Sequence, residues 1–399
     1  MPSFNDILGY EKQVAKLKSI CDYLKNTQRY EDFGAHIPQG VLISGEGGVG
    51  KTLFAEVLAQ ESQRNIYVPQ GKGKRAISKA LKKAVKDVPS VFLLDDLDFY
   101  PDEMYDLLVD LFTDIYGDDV FVIATATNVE NLPESLLQNI VFEERLVLDV
   151  PNFADSKLIF NKYFSDKKVA EDFNLEDFCY IAQNCSVSTV DDIYNDASIY
   201  AVRDRAEKVT MDHLFKAAMA FENHTVSCEF NKSIAFHESG HAIVDLLLDG
   251  IAAYIVLNDD DSGFYVKKTR GIKSYKDRQR DYIQSFAGNA CEEFFMGESA
   301  IGGYIDLGRV SQNIERDNKY LACQGFEYYD STELNSPAFN DALAKKVQTD
   351  MQSYYDSARK MVEDNKPLVL ALVEALRKRN YLLHSEIHKI YDEYLKSKK

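Results

Sequence analysis

The chain has no run approaching the ~18 consecutive apolar residues of a membrane-spanning helix. Its N-terminus also lacks the apolar core of a secretory signal. Its six cysteines, at positions 21, 179, 185, 228, 291 and 323, are scattered without a Cys-x-x-Cys pair. Neither a disulfide framework nor a thiolate zinc site is suggested, and a reduced, cytoplasmic setting is expected. Bases are in deficit: 46 Lys and Arg against 64 Asp and Glu leave a net charge of −18. That argues against nucleic acid as a main partner, because such binding depends on cations displacing phosphate counterions. No internal repeat or low-complexity tract is present. What remains, 399 residues with 45% hydrophobic and 28% charged content, is long enough for two or three globular domains.

One segment departs from the acidic average. "GKGKRAISKALKKAVKD", residues 71–87, is strongly basic. It reads as a solvated helix face after a flexible turn, or as a contact for an acidic partner or nucleotide.

From residue 40, short apolar runs alternate with helical stretches. "GVLIS", "VFLLDD" and "VFVIATA" are strand candidates separated by helical segments, the βαβ pattern of a parallel sheet. After Pro151 four helical segments follow, from "DSKLIFNKYF" to "TMDHLFKAAMAFE". A break near 223–232 leads into another helix. "AAYIVLN" and "SGFYVKK" then read as strands around an acidic turn, and the remainder to about 395 is expected to be largely helical.

"GEGGVGKT" comprises Gly45, Glu46, Gly47, Gly48, Val49, Gly50, Lys51 and Thr52, and it follows a strand and opens a helix. This is the phosphate-loop pattern in its proper context. Glycines let the backbone bend round a phosphate, and amides at the helix start point at the anion. Lys51 would reach the β- and γ-phosphates of ATP, and Thr52 would ligate Mg²⁺. "VFLLDDLD" places Asp95 where a Mg²⁺-facing carboxylate is needed and Asp96 where a water-positioning acid would help hydrolysis. Asn128, ending "VFVIATATN", is suited to sensing the γ-phosphate, although strand-end polarity alone would also put such residues there.

"SIAFHESGHAIVDLLL", residues 233–248, carries His237 and His241 four apart, hence on one helical face. Two histidines and a third protein ligand would hold Zn²⁺ and leave one position for water. The ion lowers that water's pKa to about 7, and Glu238 can take the proton as the water attacks a peptide carbonyl. Gly240 costs about 1 kcal/mol in a helix interior and makes sense if another element approaches closely. The third ligand is left open by spacing: Glu292, Glu293 and Asp306 are the candidates. His384 and His388 repeat the spacing without the glutamate and are expected on the surface of a C-terminal helix.

Phosphate loop, paired-acid strand, small helical unit and histidine helix, in that order, resemble the FtsH family of AAA+ zinc metalloproteases. "SFNDILGYE" and "IPQGVLISGEGGVGKT" are similar to the start of that family's ATPase module, "FHESGHAIV" to its peptidase motif, and "MQSYYDSARKMVEDNKPLVLALVEAL" to its C-terminal helices. The resemblance implies a multidomain chain: an α/β P-loop AAA+ domain at 1–152, a helical lid at 153–222 and a mainly α-helical zinc metallopeptidase domain at 223–399. Within "AIGGYIDLGRVSQN" it makes Asp306 the third zinc ligand, with Glu292 and Glu293 supporting. The strand from Gly263 resembles the edge along which substrate is laid. Hexameric rings threading protein or peptide substrates to enclosed zinc sites are implied as well.

The departures fall on the ATPase half. Residue 4 already lies in the ATPase module and the family's membrane-anchoring segment is not in this sequence: either the chain is a soluble relative, the reading adopted here, or an anchor has been removed from it. Gln138 and Val141 stand at the two arginine-finger positions, with Arg145 close in sequence. Asp96 replaces the usual glutamate. The aromatic pore loop has no clear counterpart; Tyr67, the nearest candidate, is expected to end a strand. Three readings follow: a peptidase driven by ATP hydrolysis, a peptidase whose AAA+ module binds nucleotide for assembly or gating with little turnover, or a non-proteolytic scaffold or chaperone with structural zinc.

Overall fold

The computed structural model describes residues 2–138, 140–260, 262–268, 274–298, 304–320 and 337–398, with the side chains of 140, 304–306, 320, 338 and 339 also outside the described set. Two compact units result: residues 1–175 with 182–210, and residues 176–181 with 211–399.

The first unit is built on strands that are apolar on both sides. Val41 and Ile43 of β1 (Gly40–Gly45) enter one core with Val91 and Leu93 of β3 (Ser90–Leu94) and Phe121 and Ile123 of β4 (Val120–Ala126). The alternate residues Leu42, Phe92, Leu94, Val122 and Ala124 enter another. Side chains of a strand point alternately to its two faces, so such runs need helices on both. On one face lie α1 (Glu11–Lys25), followed by the short α2 (Thr27–Asp32), and α3 (Lys51–Glu61). On the other lie α4 (Lys74–Lys86), α5 (Glu103–Asp114) and the single turn α6 (Glu134–Leu137). With β2 (Asn65–Tyr67) and β5 (Glu144–Leu148) the sheet runs β2-β3-β4-β1-β5, all parallel. The chain leaves β1 for the far edge and steps back, so the carboxyl ends of β1, β3 and β4 form the crevice where α/β sheets bind ligands. Helices α7 (Phe153–Phe164) and α9 (Val187–Arg203) belong to this unit. They start on side-chain caps, Asn152 accepting from the amides of Ala154 and Asp155 and Ser186 from that of Thr189.

The second unit takes α8 (Leu175–Ile181) from Glu176 onward, α10 (Met211–Phe221), α11 (Lys232–Leu247), α12 (Tyr275–Met296), α13 (Tyr304–Tyr320), α14 (Pro337–Asp364), α15 (Lys366–Leu376) and α16 (His384–Ser397). A small antiparallel sheet, β7-β6-β8, joins β6 (Ala252–Leu257) to β7 (Gly263–Lys267) and β8 (Tyr381–Leu383). β8 is a short strand within the C-terminal part, which is otherwise helical among the described residues, as expected. Its three buried residues are too short a run to show a period of two, and pairing with β6 alone makes them a strand. α8 and α10 are tied in by polar contacts: Asp177 accepts from the amide (2.8 Å) and hydroxyl (2.6 Å) of Ser385, and Tyr381 donates to Asp212 at 2.7 Å.

Candidate nucleotide and metal sites

The nucleotide crevice follows from the end of β1. Gly45, Gly48 and Gly50 have φ of 153°, 76° and 102°, a run that side-chain-bearing residues rarely adopt. Lys51, only 6% exposed, lies at the loop with its Nζ donating to the carbonyls of Gly45 (2.9 Å) and Glu46 (2.7 Å). Burial pulls its pKa below the usual lysine value, against the opposing pull of Asp96, Asp98 and Asp95. Thr52 Oγ1 donates to Asp95, 3.1 and 3.2 Å from its two carboxylate oxygens, so hydroxyl and acid meet as an oxygen-rich pair suited to Mg²⁺. Asp96 adopts the left-handed conformation at φ 51°. That conformation suits a short acid better than a glutamate.

Two residues that sequence reasoning missed organise this crevice. Thr125, fully buried in β4, donates to Asp95 at 2.6 Å and accepts the Asp96 amide at 2.8 Å. Asp98 accepts the amides of Thr127 (3.0 Å) and Asn128 (2.8 Å), fixing the turn that carries Asn128. A lone threonine inside "VFVIATA" was the available signal for the first; nothing in the pattern marked the second.

At the arginine-finger positions, Val141 is fully buried in the core and Gln138 donates to Glu134 at 2.6 Å. Arg145 donates to the Leu137 carbonyl, also at 2.6 Å. Tyr67 ends β2, as expected, and its hydroxyl bonds the Asp87 carboxylate.

The second site lies between α11 and α12. Asn231 caps α11, accepting from the amides of Ser233 and Ile234. His237 and His241 point their Nε2 atoms at one another, 3.1 Å apart. Two nitrogens about 2.05 Å from one tetrahedral zinc stand roughly 3.3 Å apart, so the pair has the spacing of two ligands of one ion. Each ring is held from behind. His241 Nδ1 meets the Gln284 carbonyl at 2.8 Å, and His237 Nδ1 lies 3.3 Å from Glu292, which also accepts from Ser233 at 2.6 Å. Such partners fix the tautomer and leave Nε2 for a metal.

The helices meet through two glycines. A Cβ at Gly240 would stand 2.4 Å from the Ala287 carbonyl, and one at Gly288 would stand 2.5 and 2.6 Å from the two Nε2 atoms. The space before the ring nitrogens is therefore kept clear by a missing side chain, and the residues present fit a metal ion. Among the described residues no group of three His, Cys, Asp or Glu forms a metal set. Asp306 lies in α13, but its side chain is outside the described residues. Glu293 takes no part here: it accepts from Tyr355 and pairs with Arg359.

Glu238, 6% exposed, and His241 line a cavity of about 600 Å³ together with Tyr265 and Lys267 of β7 and Asp281 and Gln284 of α12. β7 is an edge strand, and Gly263 starts it directly against the Glu238 side chain. His384 and His388, expected on the surface of a C-terminal helix, lie on α16 and are half-buried, each with a ring nitrogen turned inward. Pairing of β8 with β6 draws the start of α16 inward, so that His384 Nδ1 meets the Ala252 carbonyl at 2.7 Å and His388 Nε2 is buried.

Residues 41–150 match the model of the ATPase family associated with various cellular activities (AAA). Relatives named ATP-dependent zinc metalloprotease FtsH align along almost the whole chain. That of Streptobacillus moniliformis is 25% identical over 96% of this chain and 63% of its own length. That of Leptotrichia buccalis is 25% identical over 97% and 56%, and that of Karelsulcia muelleri 24% over 98% and 71%. The chain thus spans about three-fifths of the length of the first two. No helix among the described residues is long and apolar enough to cross a membrane. With a phosphate loop and paired acids on a parallel sheet, followed by a largely helical unit, the chain is FtsH-like along its length and carries a divergent AAA ATPase module.

Proposed function

We propose that the chain is an ATP-dependent zinc metalloendopeptidase acting on proteins or peptides in the cytoplasm, assembled as a homo-oligomeric ring of hexameric type. The functional segments are 1–152 for nucleotide, 153–222 for the lid and 223–399 for peptide cleavage. The observation that carries this reading is the pair of opposed imidazole nitrogens, 3.1 Å apart and anchored at both Nδ1 atoms, beside a glutamate in a cavity.

His237 and His241 would hold the zinc, with Asp306 as third ligand on the strength of the resemblance. Bound there, zinc supplies Lewis-acid polarisation of water and of the scissile carbonyl. Glu238 takes the proton of the attacking water and delivers it to the leaving amine. The open edge of β7 is suited to pairing with an extended substrate backbone, which would hold the scissile bond beside Glu238. At the other site the loop amides and Lys51 bind the ATP phosphates, Thr52 and Asp95 take Mg²⁺, Asp96 orients water and Asn128 meets the γ-phosphate.

A second reading, nucleotide binding for assembly or gating with little turnover, is favoured by the burial of Val141 where a finger would project. An arginine finger supplied in trans can be worth about 10³-fold or more in hydrolysis.

Glu238→Gln is the direct test. Stoichiometric zinc with cleavage of an unfolded protein lost is expected; full zinc with unchanged cleavage overturns the assignment. ATPase rate, beside degradation of a folded substrate by the Lys51→Ala variant, separates the two roles of the nucleotide.

A further inference from the structure

The cavity beside Glu238 and His241 has one wall on α13 that the chemistry above leaves unused. Arg309, Val310 and Asn313 of that helix line it. Arg309 and Asn313 follow position 306 by three and seven residues, so the three positions share one helical face. Arg309 is exposed and Asn313 half-buried, and neither makes an ion pair or hydrogen bond among the described residues. A guanidinium fork and, one turn on, a carboxamide thus line the cavity as donors without an acceptor in that set.

Other charges of the wall are already matched. Lys267 Nζ lies 2.6 Å from Asp281 and donates to the Gln284 side-chain oxygen at 3.3 Å. Asp245 accepts from the Tyr265 hydroxyl at 2.7 Å. Arg278 Nη1 lies 3.1 Å from the buried carboxylate of Asp317. Lys268, half-buried just past β7, adds a further cation. Four cations therefore stand against Asp245, Asp281 and Glu238, in a chain whose net charge is −18. The wall is locally basic in an acidic protein.

We infer that this cavity receives an acidic side chain of the substrate, so that cleavage falls preferentially beside Asp or Glu, with Arg309 as the specificity-determining residue and Asn313 as a second donor. The inference rests on the peptidase reading and names the substrate class of that same site. Arginine presents two parallel N–H groups to a carboxylate, which a lysine cannot do. An apolar side chain would take water from Arg309 and give it no partner. A basic one would reach Asp281 and Asp245 only by displacing Lys267 and the Tyr265 hydroxyl, with Arg309 repelling it.

The test is to digest an unfolded protein with the full, zinc-loaded chain and to read the cut sites by mass spectrometry. Asp and Glu are expected at one position flanking the cut about fivefold or more above their frequency in the substrate, the worth of one charge-assisted contact. The enrichment should shrink at high salt, because Arg309 is exposed and screened. Arg309→Gln brings it to about one, and Arg309→Glu moves the preference to Lys and Arg. That gain of a new preference also shows that the variant is folded. Cut sites without acidic enrichment, or an enrichment that survives Arg309→Gln, overturn the inference and leave the peptidase reading standing. Variants with wild-type zinc content that cut nothing overturn it as well, since Arg309 would then do more than select. No cleavage by the wild-type chain overturns the peptidase reading, and the inference with it.

Discussion

At the phosphate loop the polar side chains are tied to their own loop and strand ends: Lys51 to two loop carbonyls, Thr52 to Asp95, Asp95 to Thr125. At the histidine pair the reactive nitrogens are instead held from behind, by Gln284 and Glu292, and point forward into space kept by Gly288. The first arrangement sits on a glycine-bent loop, the second between two close-packed helices. Loops tolerate substitution better than packed interfaces do, because their groups are less constrained by neighbours. The departures from the FtsH pattern at Asp96 and Gln138 accordingly lie past a strand end and at a helix end of the nucleotide unit, whereas that at Val141 is a core residue. The helix pair keeps its full set of His237, Glu238 and His241.

The contrast can be tested most severely at Glu238. Its change to Gln should lower peptide turnover by about 10² to 10⁴-fold while zinc content and ATP binding stay put. Parallel loss of ATP binding would show that the two sites are not separable. Next in size is Gly288→Ala, whose new methyl group would crowd both Nε2 atoms. Zinc affinity, read by competition with a chelator, should fall about 10- to 100-fold or more. Wild-type affinity would mean that the ion does not sit between the rings.

Lys51→Ala should weaken ATP binding about tenfold or more, the loss of a charge-assisted contact, while cleavage of a short unstructured peptide continues. Calorimetry and a fluorogenic peptide read the two halves separately. Thr125→Val leaves the Asp96 amide and one Asp95 oxygen without their buried partner. It should cost the first unit about 1–3 kcal/mol by denaturant melting. The smallest effect concerns pH. Burial, with His384 alongside, holds the pKa of His388 below its ordinary 6.5. As pH falls through that value the unfolded chain takes up a proton that the fold resists, so stability drops. His388→Gln should flatten that acid limb of a Tm-against-pH curve, and an unchanged limb would remove His388 as its cause.

Much of the nucleotide unit was legible because its signals are local. A glycine run between a strand and a helix, and acids after four apolar residues, declare themselves without distant partners. The histidine helix was legible for the same reason. What stayed hidden depends on elements far apart in the chain. Gly288 matters only because α12 lies across α11, and the contact of Glu292 with His237 Nδ1 likewise joins residues 55 positions apart that no local pattern links. β8 is a strand only in the presence of β6, and with that pairing two histidines on a partly exposed helix face each turn one ring nitrogen inward. Val141 looked like a lost arginine; its burial turns a missing group into a filled core.

The capture of α8 has a practical consequence. Residues 176–181 belong with 211–399 although residues on either side of them in sequence belong to the other unit. The chain cannot therefore be divided by one cut. A fragment beginning at 223 would lose Asp177, the acceptor at the start of α16, along with Asp212 and the Phe215 ring stacked on Tyr381. Anyone seeking the second unit in isolation would do better with a circularly rearranged or full-length chain than with a truncated one.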